Sequence, residues 1–131
     1  MKAKTTSQLR KLAWRLLSEL IRRREANVDG GVRCYTCGEW MQHWKQAQAG
    51  HAIPGRHGAV LLNEDVIRVQ CKRCNVMLRG NYHIFITKLI KVKGMEWWDQ
   101  QLIDSHRTVK LTRVDLMEKI EEFRRRLAAI R

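Results

Sequence analysis

The chain has 131 residues, 44% of them hydrophobic and 30% charged, which suits one compact domain with helical arms. Lys and Arg number 26 against 13 Asp and Glu, a net charge of +13, so the surface attracts polyanions. Nucleic acid is the partner expected first, and an anionic membrane surface is the weaker rival. No apolar run reaches the roughly 18 residues of a membrane-spanning helix. Arg10, Lys11 and Arg15 interrupt any signal-peptide core, so a cytoplasmic protein is expected.

In chain order, residues 7–25 read as an amphipathic helix. Leu9, Leu12, Ala13, Leu16, Leu17, Leu20 and Ile21 follow helical spacing, Thr6 or Ser7 is the expected N-cap, and most basic residues fall on the other side. Asp29-Gly30-Gly31 marks a turn. Ala49–Ile53 and Val66–Gln70 are candidate strands, with an exposed loop at Gly55–Gly58 between them. A helix starting near Cys74 would complete a ββα unit. Tyr82, Phe85, Ile86, Leu89 and Ile90 then line a helical face that ends at Gly94, and a short helix is expected over residues 95–105. Thr112, with Asp115 three residues on, caps a last helix. Its apolar positions are Leu116, Ile120, Phe123, Leu127 and Ile130; Lys119, Arg124, Arg125 and Arg126 make its other side basic. This divides one α+β domain into an N-terminal basic helix (1–30), a core (31–81) and a helical region (82–131).

The four cysteines form two pairs, Cys34-Tyr-Thr-Cys37 and Cys71-Lys-Arg-Cys74, separated by 33 residues. Two-residue spacers let one tight turn present two sulfurs to a tetrahedral zinc. A disulfide framework would suit a secreted, loop-rich chain, and the long helical patterns argue against it. Lys72 and Arg73 place positive charge inside the second knuckle, which favours thiolates. Four sulfurs leave no open coordination position, so one structural zinc per chain is expected.

A second constellation lies between and after the pairs: Gly50-His51-Ala52-Ile53-Pro54, then Gln70-Cys71, Cys74-Asn75 and Gly80-Asn81. Together with Cys34-x-x-Cys37-Gly38, this arrangement resembles the NinG (Rap) recombination nucleases of lambda-like phages. It also resembles the zinc-stapled ββα-metal fold of HNH, or His-Me finger, nucleases. The resemblance covers most of the chain, and its specific part is residues 34–81. It implies a metal-dependent DNA endonuclease that nicks branched recombination intermediates. His51 takes the place of the general base, Asn75 that of a ligand to Mg²⁺ or Mn²⁺, and Asn81 that of a polar residue near that ion. Arg56, Lys72, Arg73, Arg79, Arg124, Arg125 and Arg126 are the expected nucleic-acid contacts, and other recombination proteins are further partners.

Two positions depart from the family pattern. Gly50 stands where many HNH sites have an Asp ligand. Val66 stands where an Asn normally braces the loop that orients the histidine, with Asn63 or Asp65 as partial substitutes. The alternative function is a zinc-stapled nucleic-acid-binding module without catalysis. Trp40 and Trp44, one helical turn apart, are expected to line the core, and only one of Trp97 and Trp98 is expected to point inward. His43, His83 and His106 receive no role, and His57 is expected to face solvent or phosphate. The apolar seam of the last helix is the expected interface if the protein is a homodimer.

Overall fold

A computed structural model describes residues 2–130. Helix α1 spans Thr6–Arg24. Its N-cap is Thr5, one residue earlier than the nearer of the two expected caps: the Thr5 side chain accepts from the Gln8 amide, and the Gln8 side chain returns the bond to Thr5 N. Arg22, Arg23 and Arg24 occupy the last turn, where the helix dipole favours positive charge.

Two small antiparallel hairpins follow. Strand β1 (Val32–Arg33) pairs with β2 (Trp40–Met41), and the turn between them carries the first cysteine pair. Strand β3 (Gln48–His51) pairs with β4 (Ile67–Gln70), with Gln48 opposite Gln70 and His51 opposite Ile67. Both strands are shorter than the sequence pattern predicts. The expected α-helix after the second knuckle is instead a five-residue π-helical segment, Arg73–Met77. It ends because Arg79, Gly80 and Asn81 all adopt positive φ (51°, 97° and 48°), a turn that no helix can continue. Helices α2 (Tyr82–Lys93) and α3 (Met95–Ser105) meet at Gly94, whose φ of 95° suits glycine. Helix α4 (Arg113–Ala129) is capped by Thr112 and Asp115 as expected.

Alternation along β3 and β4 decides the packing. Ala49, Ile67 and Val69 point to one face and join Leu17, Leu20 and Ile21 of α1 and Phe123 and Leu127 of α4 in the main core. Leu9 and Ala13 meet Leu116 and Ile120 further along the same helix pair. The apolar seam of α4 is therefore used inside the chain, against α1, and is not free for a second copy. A separate cluster, with Ala52, Ile53, Val60, Val66, Phe85, Leu89 and Trp98, seats α2 and α3 beneath the β3–β4 loop. Trp98 is buried and Trp97 half-buried, as expected of that pair. Trp40 and Trp44 do not share a helical turn. Trp40 lies in β2, 47% exposed, and Trp44 lies half-buried in a 3-10 turn among Arg22, Arg23 and Lys45. His43 has a local role after all: its Nδ1 caps that 3-10 turn by accepting from Lys45 N at 3.1 Å.

Glu64, just before β4, ties three segments together. Its carboxylate accepts from Arg126 of α4 at 2.7 and 2.8 Å and from Arg24 at the end of α1 at 3.0 Å. The hydrogen bonds from Arg126 are the main reason its carboxyl lies below the ordinary range, with burial opposing them. A depressed folded-state pKa gives stability that is present above the ordinary glutamate range and lost as pH falls through the folded value. Glu64→Gln is expected to cost about 1–2 kcal/mol. Chemical denaturation of both proteins at pH 7 and pH 3 checks this: the difference between them should shrink at the lower pH.

Candidate metal centre and His51 site

The two knuckles bring Cys34, Cys37, Cys71 and Cys74 together, with all four sulfurs within 4.8 Å of one another. The cysteines form no disulfide, and Cys37 Sγ lies 3.7 Å from Cys71 Sγ. A tetrahedral ion bound at about 2.3 Å from each sulfur needs edges of about 3.8 Å, so the cluster fits a four-thiolate metal centre. Backbone amides already point at the sulfurs: Glu39 N at Cys37 and Cys74 N at Cys71, both at 3.4 Å. Without a cation the four thiols cannot ionise side by side. Burial opposes ionisation of Cys34, but backbone hydrogen bonds and the Thr36 hydroxyl bring its pKa down to about 6. Cys71, by burial and the neighbouring thiols, is pushed up to about 12. A bound divalent metal removes that conflict.

His51 is the last residue of β3, on the face that meets α1. Its ring stacks on Trp14, with centroids 4.6 Å apart and planes at 29°. Its Nε2 is 3.0 Å from the Leu61 carbonyl oxygen, which can only accept, so in the neutral ring Nε2 carries the proton and Nδ1 the lone pair. Burial pushes the imidazole below the ordinary histidine range. The Leu61 carbonyl pulls upward, and the nearby Arg56 charge lowers it further. The Arg56 guanidinium lies 5.5 Å from the centre of the Trp14 ring, and Arg10 donates to the Arg56 carbonyl. Ser7, Arg10, Lys11, Trp14, Arg56 and Leu61 line a cleft of about 250 Å³ there.

On the opposite face of the hairpin, Asn75 Nδ2 donates to Gln48 Oε1 at 2.6 Å. His51 and Asn75 therefore flank β3, and the expectation that both point into one groove is not met: successive strand residues face opposite sides. Gln70, wholly buried, sits on the Asn75 side and donates from Nε2 to the Gly80 carbonyl at 2.9 Å and to Thr36 Oγ1 at 3.3 Å. Asn81, expected beside a second metal, instead turns its amide toward Cys74 Sγ at 3.5 Å, because its left-handed backbone points it back to the knuckle. The sequence patterns missed Trp14, which reads as one more apolar position of α1, and Gln70, whose only signal is a polar residue in a buried strand.

The family model for the Bacteriophage Lambda NinG protein matches residues 1–131. The chain belongs to the NinG family. No curated protein and no solved structure matches it. In this NinG protein the expected DNA-contacting residues are spread over several surfaces. Arg56 adjoins His51; Lys72, Arg73 and Arg79 are exposed around the second knuckle; Arg124 and Arg125 are exposed on α4. Arg124 shares a basic groove with Lys4, Lys11 and Arg15. Arg126 differs, because Glu64 and Glu122 already bind its guanidinium. No helix is long and apolar enough to cross a membrane among the described residues.

Val66 is 0% exposed inside the α2–α3 cluster, while its carbonyl accepts from Ala52 N at 2.7 Å. The loop is braced by other groups. Leu61 O holds His51, and Asn63 donates to Gln101 of α3 at 2.9 Å. An amide at position 66 would be buried among apolar side chains. Val66→Asn is therefore expected to lower stability by about 1–3 kcal/mol, read as a lower melting temperature. An improvement in activity, the outcome the family pattern implies, is not expected. Elemental analysis should find about one metal ion per chain in this NinG protein. Cys71→Ser should abolish both metal retention and cooperative unfolding, because the binding energy is folding energy.

Proposed function

We propose that this protein is a metal-dependent DNA endonuclease that nicks branched recombination intermediates, of Holliday-junction or D-loop type, in phage recombination. It would hold one structural zinc at the four cysteines and use Mg²⁺ or Mn²⁺ near Asn75. The four-thiolate set suits zinc, and a closed site of this kind fixes structure without doing chemistry. The β3–β4 hairpin followed by the Arg73–Met77 segment supports the HNH-like reading of the core.

The observation that carries the proposal is the lock on His51. Trp14 fixes the ring plane, Leu61 O fixes the tautomer, and burial keeps the ring neutral near pH 7. Nδ1 is thus ready to take the proton of a water as its oxygen bonds to phosphorus and the bond to the leaving oxygen breaks. Arg10, Lys11 and Arg56 line the same cleft and balance phosphate charge. A divalent ion, held by amide oxygen on the Asn75 side, supplies stabilisation of the charge that develops on the phosphate and leaving oxygen. With the base and Asn75 on opposite faces, the phosphodiester must cross the end of β3. That separation favours the second reading, a zinc-stapled nucleic-acid-binding module without catalysis, and one assay decides between them.

Plasmid and four-way-junction substrates are incubated with Mg²⁺ or Mn²⁺ and, in parallel, with EDTA. Nicking should require the ion, and His51→Ala should reduce it by on the order of 10²–10⁴ while DNA affinity holds. No nicking by the folded wild type under any ion would establish the binding module. The rate should rise with pH through a midpoint below about 6.5, the free histidine value, and stay flat above it. Trp14→Ala, by exposing the ring to water, should move that midpoint upward. DNA affinity should fall steeply with salt. Arg124→Ala with Arg125→Ala should flatten the salt slope, whereas Arg126→Ala should act chiefly on stability.

A further inference from the structure

Gln70 Oε1 is the one buried side-chain polar atom without a hydrogen-bond partner among the described residues. The amide is not reversed. Its Nε2 has both hydrogens placed, toward Gly80 O and Thr36 Oγ1, and Gly80 O can only accept. Oε1 is thereby aimed at Gly50, and a Cβ at position 50 would stand 1.7 Å from it and 2.9 Å from Asn75 Oδ1. Gly50 has an ordinary backbone, so glycine is required here for space alone. It leaves two amide oxygens facing the same small volume, with half-buried Gln48 and Asn75 beside it. A buried oxygen with no donor costs about 1–3 kcal/mol, and two acceptors turned toward each other repel unless a positive centre lies between them.

We infer that Gln70 Oε1 and Asn75 Oδ1 form an oxygen pair that ligates a divalent cation over Gly50, making Gln70 a metal ligand. This rests on the proposal that a divalent ion acts near Asn75. Oxygen donors suit Mg²⁺ and Mn²⁺. Neither ligand carries charge, so the ion binds weakly alone, keeps several waters and depends on phosphate for charge balance. Gln70 also reaches the knuckle: its Nε2 donates to Thr36 Oγ1, which lies 3.1 Å from Cys34 Sγ. One side chain thus connects the cysteine cluster with the cation.

The test uses uniformly ¹⁵N-labelled, zinc-loaded full chain titrated with Mn²⁺ alone. Paramagnetic broadening should appear first at the Gln70 side-chain amide, the Asn75 side-chain amide and the Gly50 backbone N–H. Gln70→Met and, separately, Gly50→Ala should weaken Mn²⁺ binding by at least roughly tenfold, the scale set even by outer partners of a metal site, with zinc content retained. Broadening centred elsewhere, or no broadening at millimolar Mn²⁺, overturns the inference in the wild type without reference to any variant; Gln70 Oε1 would then hold a water. Gln70→Met binding Mn²⁺ as tightly as wild type overturns it as well. Selective broadening in a protein that nicks no DNA upholds the cation site and removes the nuclease reading, so the two fail separately.

Discussion

Four sulfurs hold this structure together. Neither two-residue hairpin strand nor the five-residue π-helical segment is stable alone, yet these pieces carry every group of the proposed site. Joining the β1–β2 turn to the segment after β4 fixes where β4 ends. That in turn fixes Gln70, the direction of Asn75 and the sharp left-handed turn at Arg79–Asn81. The helices contribute bulk on either side, but they could not by themselves set the position of one strand end to within an ångström.

Around that centre the two faces of the β3–β4 hairpin are used differently. One face is apolar until its last residue, where His51 replaces an aliphatic side chain and meets Trp14. The other is lined by amides: Gln48, Gln70 and Asn75. The apolar face explains the low proton affinity of His51, since the same packing that anchors α1 removes water from the ring. The amide face gives oxygen without net charge, which suits a site that must accept an already anionic backbone. The +13 charge sits outside both, on exposed arginines and lysines, so long-range attraction and local chemistry are carried by different residues.

Much of this was legible from residue order. The helices announce themselves by their spacing, the cysteine pairs by their two-residue gaps, and the chain from Gly50 to Asn81 by its likeness to NinG proteins. What escaped was tertiary. Nothing local in Trp40 or Trp44 tells that a β-strand and a 3-10 turn separate them. Asn81 looks like a ligand until its left-handed backbone turns it to a sulfur. Val66 looks like a lost brace until it proves to be a packed core residue, with Leu61 O and Asn63 as the brace. Arg126 looks like any basic helix residue, because its partner Glu64 lies 62 positions away.

The pairing of α1 with α4 carries a consequence for how the molecule is made. Leu9 and Ala13 find their partners, Leu116 and Ile120, only across nearly the whole chain. During synthesis the first helix emerges long before the last, and loop closure over that separation is slow and entropically opposed. The cysteine knuckles, much closer in sequence, can close on a metal in the meantime. The nascent chain therefore passes through a stage with a finished metal knot and an undocked, apolar first helix, and the metal's arrival limits how long that sticky face stays exposed.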